Sequence, residues 1–115
     1  ILYACGKRIT DFSIFNDFIV YFTDDGEIVK QNSLDGIIEK IKINGNFVMN
    51  SLQFESNKLI CGTFNGEIII INTNDMSILD SLNYHKRSVI KIINSKHNEF
   101  YSSSIDKTIK KWNIN

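Results

Sequence analysis

The chain has 115 residues, with 13 Lys and Arg balanced by 13 Asp and Glu, so its formal net charge is zero. That length admits one domain with a real core, and the balance removes the basic excess that usually marks nucleic-acid and membrane-surface binders, so nucleic acid is disfavoured as a partner. Two distant cysteines, Cys5 and Cys61, and two histidines leave no paired soft ligands for zinc, so neither metal nor cofactor is expected.

In chain order the pattern is one of short alternating strands. Ile9, Phe12 and Ile14 open a strand over 9–14, and Phe18–Thr23 form a second. "TDDGEIV" turns at Asp25-Gly26 into a third over 27–32, and "SLDGII" turns at Asp35-Gly36 into a fourth over 37–43. Asp-Gly and Asn-Gly suit two-residue hairpins, whose central positions both take positive φ. The order then starts again, with strands over 48–54, 58–63 and 67–72, the last two joined by "TFNGEII" at Asn65-Gly66, and Asn74-Asp75 turning into 77–82. A third round gives 88–94, 99–104 and 108–113, with Asp106-Lys107 in the turn. No window of useful length carries the 3.6-residue period of a helix.

Asp25, Asn65 and Asp106 recur at a spacing of about forty residues, and so do Ile9, Met49 and Val89. A self-similar unit of that length, made of four antiparallel strands a to d, is the blade of a β-propeller. The fold class is therefore all-β, with about three four-stranded antiparallel blades over roughly 5–43, 44–83 and 84–115 forming part of a propeller. Residues 1–4 fall where the d strand of a preceding or closing blade would lie. Rings of this kind close with about four to eight blades. Further blades, from a longer parent chain or from other copies, are thus expected to cover the end walls.

The last unit contains His85, Val89, Ser102-Ser103-Ser104-Ile105-Asp106, Thr108-Ile109 and Trp112. This order resembles the WD-repeat (β-transducin-like) family's pattern H-x3-V … S-G-S-x-D-x-T-I-x-x-W, with Ser103 where glycine is usual. The second unit has Gly45, Cys61, Asn65 and Ile71 at the His, Ser, Asp and Trp places, and the first has Cys5, Tyr21, Asp25 and Gln31. The resemblance spans nearly the whole chain, with one near-complete signature and two degenerate ones. It implies a structural relay in which Trp112 donates to Ser102, Ser102 bonds His85, and His85 bonds Asp106. A buried indole N–H and a buried carboxylate both need partners, so the physics points the same way. Nucleophilic catalysis by the same Ser, His and Asp would need an exposed serine and an oxyanion hole. The G-x-S-x-G elbow is absent from the sequence, and no enzymatic activity is expected.

Propellers are platforms whose function lies in their loops. The resemblance implies a non-catalytic protein–protein interaction scaffold that helps to assemble a multi-subunit complex, its contact face built by the d–a and b–c loops. On that face stand Asp24, Phe64 and Ile105, each just before a turn Asp or Asn, together with Phe47, Lys86, Arg87 and Lys107. Aromatics flanked by charge are the usual composition of a protein-binding hot spot. Alternatives are a recognition module in which Lys86, Arg87 and Lys107 meet acidic or phosphorylated peptides, and an RNA-associated scaffold using Phe64 for stacking. Adjacent Asp24 and Asp25 hint at a cation site, but neighbouring carboxylates on a strand point to opposite faces. No apolar run reaches the roughly 18 residues of a membrane span. Free thiols suit a reducing compartment, cytoplasmic or nuclear.

Overall fold

The computed structural model describes residues 5–114, and all its elements are strands. The expected d strand at residues 1–4 lies outside the described residues. Strands β1 (Ile9–Ile14), β2 (Phe18–Thr23), β3 (Glu27–Asn32) and β4 (Ile38–Lys42) form one antiparallel sheet in sequential order. A second consists of β5 (Val48–Phe54), β6 (Lys58–Thr63), β7 (Ile68–Asn72) and β8 (Ser77–Leu82). The third holds β9 (Val89–Lys96), β10 (Glu99–Ser104) and β11 (Ile109–Asn113), in the order β11-β10-β9. These are blades of a β-propeller, called blades 1, 2 and 3 below.

Two apolar layers hold the blades together. Val20, Phe22 and Ile28 of blade 1 meet Val48, Leu59, Cys61, Ile69 and Ile71 of blade 2. Ile60, Ile68 and Ile70 of blade 2 meet Val89, Ile92 and Phe100 of blade 3, with Trp112 packed alongside. The unbroken run Ile68–Ile71 now has a reason. Its side chains alternate between the two layers because blade 2 is covered on both faces, so a central strand loses the polar half of its pattern. Each of these fully buried side chains contributes about 1.5–3 kcal/mol of apolar burial. Polar bonds tie the inner strands across the blades as well: Thr10 Oγ1 donates to the Val48 carbonyl at 2.6 Å and Asn50 Nδ2 to the Val89 carbonyl at 2.8 Å.

The b–c turns differ from the expected two-residue hairpins. The Gly26 amide donates to the Thr23 carbonyl at 3.1 Å and the Gly66 amide to the Thr63 carbonyl at 3.3 Å. Only the glycines take positive φ, +95° and +99°. Each is a three-residue loop whose last residue is left-handed. Side chains at the end of strand b favour this form, because Thr23 Oγ1 accepts the Glu27 amide at 3.1 Å and Thr63 Oγ1 donates to the Glu67 carbonyl at 2.6 Å. A Cβ on Gly66 would lie 2.5 Å from the His85 carbonyl oxygen and 2.7 Å from that of Arg87, so the turn presses directly on the d–a loop. Lys107 holds the same place in blade 3 with φ 73°.

Candidate interaction rim and its hydrogen-bond relay

Three loop pairs line one rim of the sheets, each closed by a backbone bond from the b–c turn to the start of strand a. The Asp24 amide donates to the Arg8 carbonyl at 3.1 Å, the Phe64 amide to that of Phe47 at 2.9 Å, and the Ile105 amide to that of Ser88 at 3.1 Å. Asp24, Phe64 and Ile105 thereby occupy equivalent, exposed places on successive blades. The Phe47 and Phe64 rings stack with centroids 5.0 Å apart. Lys86, Arg87 and Lys107 are exposed beside Ile105. Asp24 faces Arg8 at 3.9 Å. All seven residues singled out in the sequence therefore sit on these loops. Sequence reasoning missed Arg8 and Ser88, which stand 39 and 41 residues from Phe47, each one place off a strict forty-residue period.

Beneath the rim, β10, β11, the turn between them and the loop before β9 bring His85, Ser102, Asp106 and Trp112 together. Trp112 Nε1–H donates to Ser102 Oγ at 2.7 Å. An indole can only donate, so Ser102 accepts there and directs its own proton to His85 Nε2, 2.7 Å away. His85 then carries its proton on Nδ1 and donates to Asp106 Oδ2 at 3.0 Å. The Lys86 amide reaches the same oxygen at 3.0 Å, and the Thr108 amide reaches Oδ1 at 2.9 Å. With the Thr108 hydroxyl contributing most, these donors hold the Asp106 carboxyl well below its ordinary pKa. Trp112 is stacked between Tyr84 and Phe100 at 5.6 and 6.0 Å. Ser102 is 1% exposed. A hydroxyl so enclosed, with both lone pair and proton engaged, can fasten strands; it has no approach for a substrate carbonyl.

Blades 1 and 2 secure the same turn with other residues. The sequence alignment set Cys5 and Gly45 opposite His85, but the structure brings Lys7 and Asn46 to that task. Lys7 Nζ lies 2.9 Å from Asp25 and 2.8 Å from Glu27. The Asp25 carboxyl, bonded first by Thr23 and then by Lys7, is lowered to about 2. Asn46 Nδ2 donates to Asn65 Oδ1 at 2.8 Å, and the Asn65 amide returns a bond to Asn46 Oδ1 at 3.1 Å. What the turn requires is a donor reaching down from the d–a loop, and an ammonium, an amide or an imidazole meets the need. Asp24 and Asp25 do not converge on a cation: they face Arg8 and Lys7 separately, and no metal-ligand cluster exists among the described residues.

No family model matches the chain. Over 111 residues it is 29% identical to the WD repeat-containing protein 55 homolog of Dictyostelium discoideum, covering 91% of the chain and 26% of that protein. The RRP9 WD40 repeats superpose with a TM-score of 0.87 at 20% identity, over 98% of this chain and 37% of that one. A chain of the mitotic checkpoint complex gives 0.71 at 12% identity, over 95% and 40%. The chain thus spans about a quarter of the curated relative's length. Its three sheets share the fold of WD40 repeat blades.

Proposed function

We propose that this run of WD-repeat blades is a non-catalytic scaffold, holding protein partners on the rim of its d–a and b–c loops and helping to assemble a multi-subunit complex. One observation carries the reading. Two large apolar side chains, Phe64 at 53% and Ile105 at 51% exposure, stand at equivalent places on neighbouring blades, fixed by backbone bonds and framed by cations. Scattered exposed apolar residues are ordinary, but a repeated, rigidly held pair beside charge has the make-up of a contact surface. The enclosure of Ser102 supports the absence of catalysis, and the mitotic checkpoint neighbour supports a role in assemblies.

The end walls bear on partners too. Phe12 and Ile14 on blade 1, and Ile93 and Ile109 on blade 3, are exposed on faces turned from blade 2. Further blades, from a longer parent chain or from other copies, are the fitting cover, since end blades cannot bury both faces alone. Two free cysteines, one fully buried, support a reducing compartment, cytoplasmic or nuclear. No helix among the described residues is long and apolar enough to cross a membrane.

The scaffold reading is tested by placing a photo-cross-linking amino acid at Phe64 or at Ile105 in the cell, with Leu79 on the outer strand β8 as control. Discrete protein adducts from the rim positions but not from Leu79 are expected. Equal labelling at all three, or none at the rim, refutes the assignment.

A further inference from the structure

We infer that the stretch of rim from the Phe47–Phe64 pair to Lys107 takes an acidic linear segment of a partner protein, seating an apolar side chain on the phenyl pair and carboxylates over blade 3. This rests on the scaffold reading and adds the partner's chemistry. The stacked rings lie within 16° of parallel, so the outer ring is held in one orientation and little freedom is lost when a ligand covers it. Ser88 joins this ring to the next blade: its hydroxyl donates to the Phe64 carbonyl and its carbonyl accepts the Ile105 amide. Phe64 and Ile105 are thereby tied into one strip of the rim.

Charge is distributed unevenly along that strip. At the blade 1 end, Lys7 is closed on Asp25 and Glu27, and Arg8 faces Asp24. At the blade 3 end, Lys86, Arg87 and Lys107 are exposed and form no ion pair among the described residues. The one carboxylate among them, Asp106, is occupied by His85, Thr108 and the Lys86 amide. Three cations against one carboxylate leave this end of the rim positive, which attracts further negative charge and sets the direction of approach. The polarity of the bound segment follows, with its apolar anchor over blade 2 and its acids over blade 3.

Aspartate and glutamate fit better than phosphate or RNA. A phosphate site gathers free backbone amides, and the amides of Lys86 and Thr108 are both taken by Asp106. RNA needs several open aromatic faces along a basic track, whereas the exposed rings here, Phe64 and Tyr84, each have one face already stacked on a neighbour, Phe47 and Trp112.

The test is selection of a random dodecapeptide display library on the full chain, followed by anisotropy titrations of the enriched peptides. Enriched sequences should combine Leu, Ile or Phe with several Asp or Glu. Phe64→Ala should weaken them by about thirtyfold, the loss expected of an aromatic anchor. Lys86→Glu with Arg87→Glu should weaken them about tenfold or more, as should raising salt from about 50 to about 500 mM. All three side chains are exposed, and a thermal melt of each variant confirms that folding is retained. Peptides without acidic residues, affinity indifferent to the charge reversals, or no enrichment would overturn this partner chemistry. Tighter binding of oligouridylate than of any peptide would overturn it in favour of nucleic acid. The scaffold reading falls separately, when the rim cross-links fail.

Discussion

Replacing Ser102 by alanine removes one oxygen and breaks two bonds. Trp112 Nε1–H and His85 Nε2 each lose a partner at 2.7 Å, in a place where the serine itself is 1% exposed. A buried polar group left unsatisfied costs about 1–3 kcal/mol. His85, with a fully buried side chain, accounts for about 2 kcal/mol and half-buried Trp112 for about 1 kcal/mol, so the sum is about 3 kcal/mol. For a domain of this size that is roughly 12 °C in Tm. Trp112→Phe keeps the ring between Tyr84 and Phe100 and removes only the donor, which should cost about 1 kcal/mol. The double variant should cost about 1 kcal/mol less than the sum of the singles, because both remove the Trp112–Ser102 bond. Urea unfolding followed by far-UV circular dichroism suits all the variants, since Trp112 is the only tryptophan and its fluorescence is lost in two of them. A Ser102→Ala variant within about 0.5 kcal/mol of the parent, or strictly additive singles, would refute the directional relay.

Gly66→Ala drives a methyl group into two carbonyl oxygens at positive φ and should destabilise by about 2–4 kcal/mol in the same unfolding assay. Lys107→Gly relieves a left-handed residue in the equivalent turn and should stabilise by about 1 kcal/mol; a loss there would contradict the strain argument. Asp25 and Asp106 are stronger acids folded than unfolded, so the folded chain binds fewer protons. Their stabilisation is complete above about pH 4 and is lost as pH falls to about 2 and below. Asp106→Asn should flatten that acid limb in pH-dependent melts, and an unchanged limb would show the carboxylate to be uncoupled from folding. Burial pushes the Cys61 thiol up, so a thiol reagent should modify half-buried Cys5 in the native chain and reach Cys61 only after unfolding. Prompt modification of both would place Cys61 outside the inter-blade layer.

Strand positions were legible because the forty-residue period is carried by turn chemistry that three blades share. Thr23, Thr63 and Ser104 each end strand b with a hydroxyl that bonds within or beside the turn. The error in turn type has the same source. Asp-Gly and Asn-Gly announce a tight turn, but the side-chain bonds from that hydroxyl shift it to three residues, and a dipeptide rule does not see an interaction four positions away. Ile68–Ile71 was legible as a strand yet not as one covered on both faces, since a short apolar run carries no record of its neighbours.

The relay in blade 3 was readable, whereas the fastenings of blades 1 and 2 were not, and the difference lies in how many ways each can be built. Trp112, Ser102, His85 and Asp106 form a chain in which every member has one direction of donation, so changing one breaks the next. Such a set leaves a recognisable spelling. A lone contact between a d–a loop and a turn only asks for a donor within reach. Lys7 meets it from two positions past Cys5, and Asn46 from one past Gly45, because side chains of different length reach the same atom from different starting points. Column-by-column alignment therefore fails at these contacts even where the function of the contact is kept. The same freedom applies on the rim above. Asp24, Phe64 and Ile105 share one backbone bond and nothing else, so the fold fixes where on the rim each side chain stands and leaves its chemistry free to differ from blade to blade. A chain can accordingly keep its propeller at 20% identity while its rim side chains change, and under the proposed scaffold role the chemistry of Phe64, Ile105 and the three cations is where partner choice has to be sought.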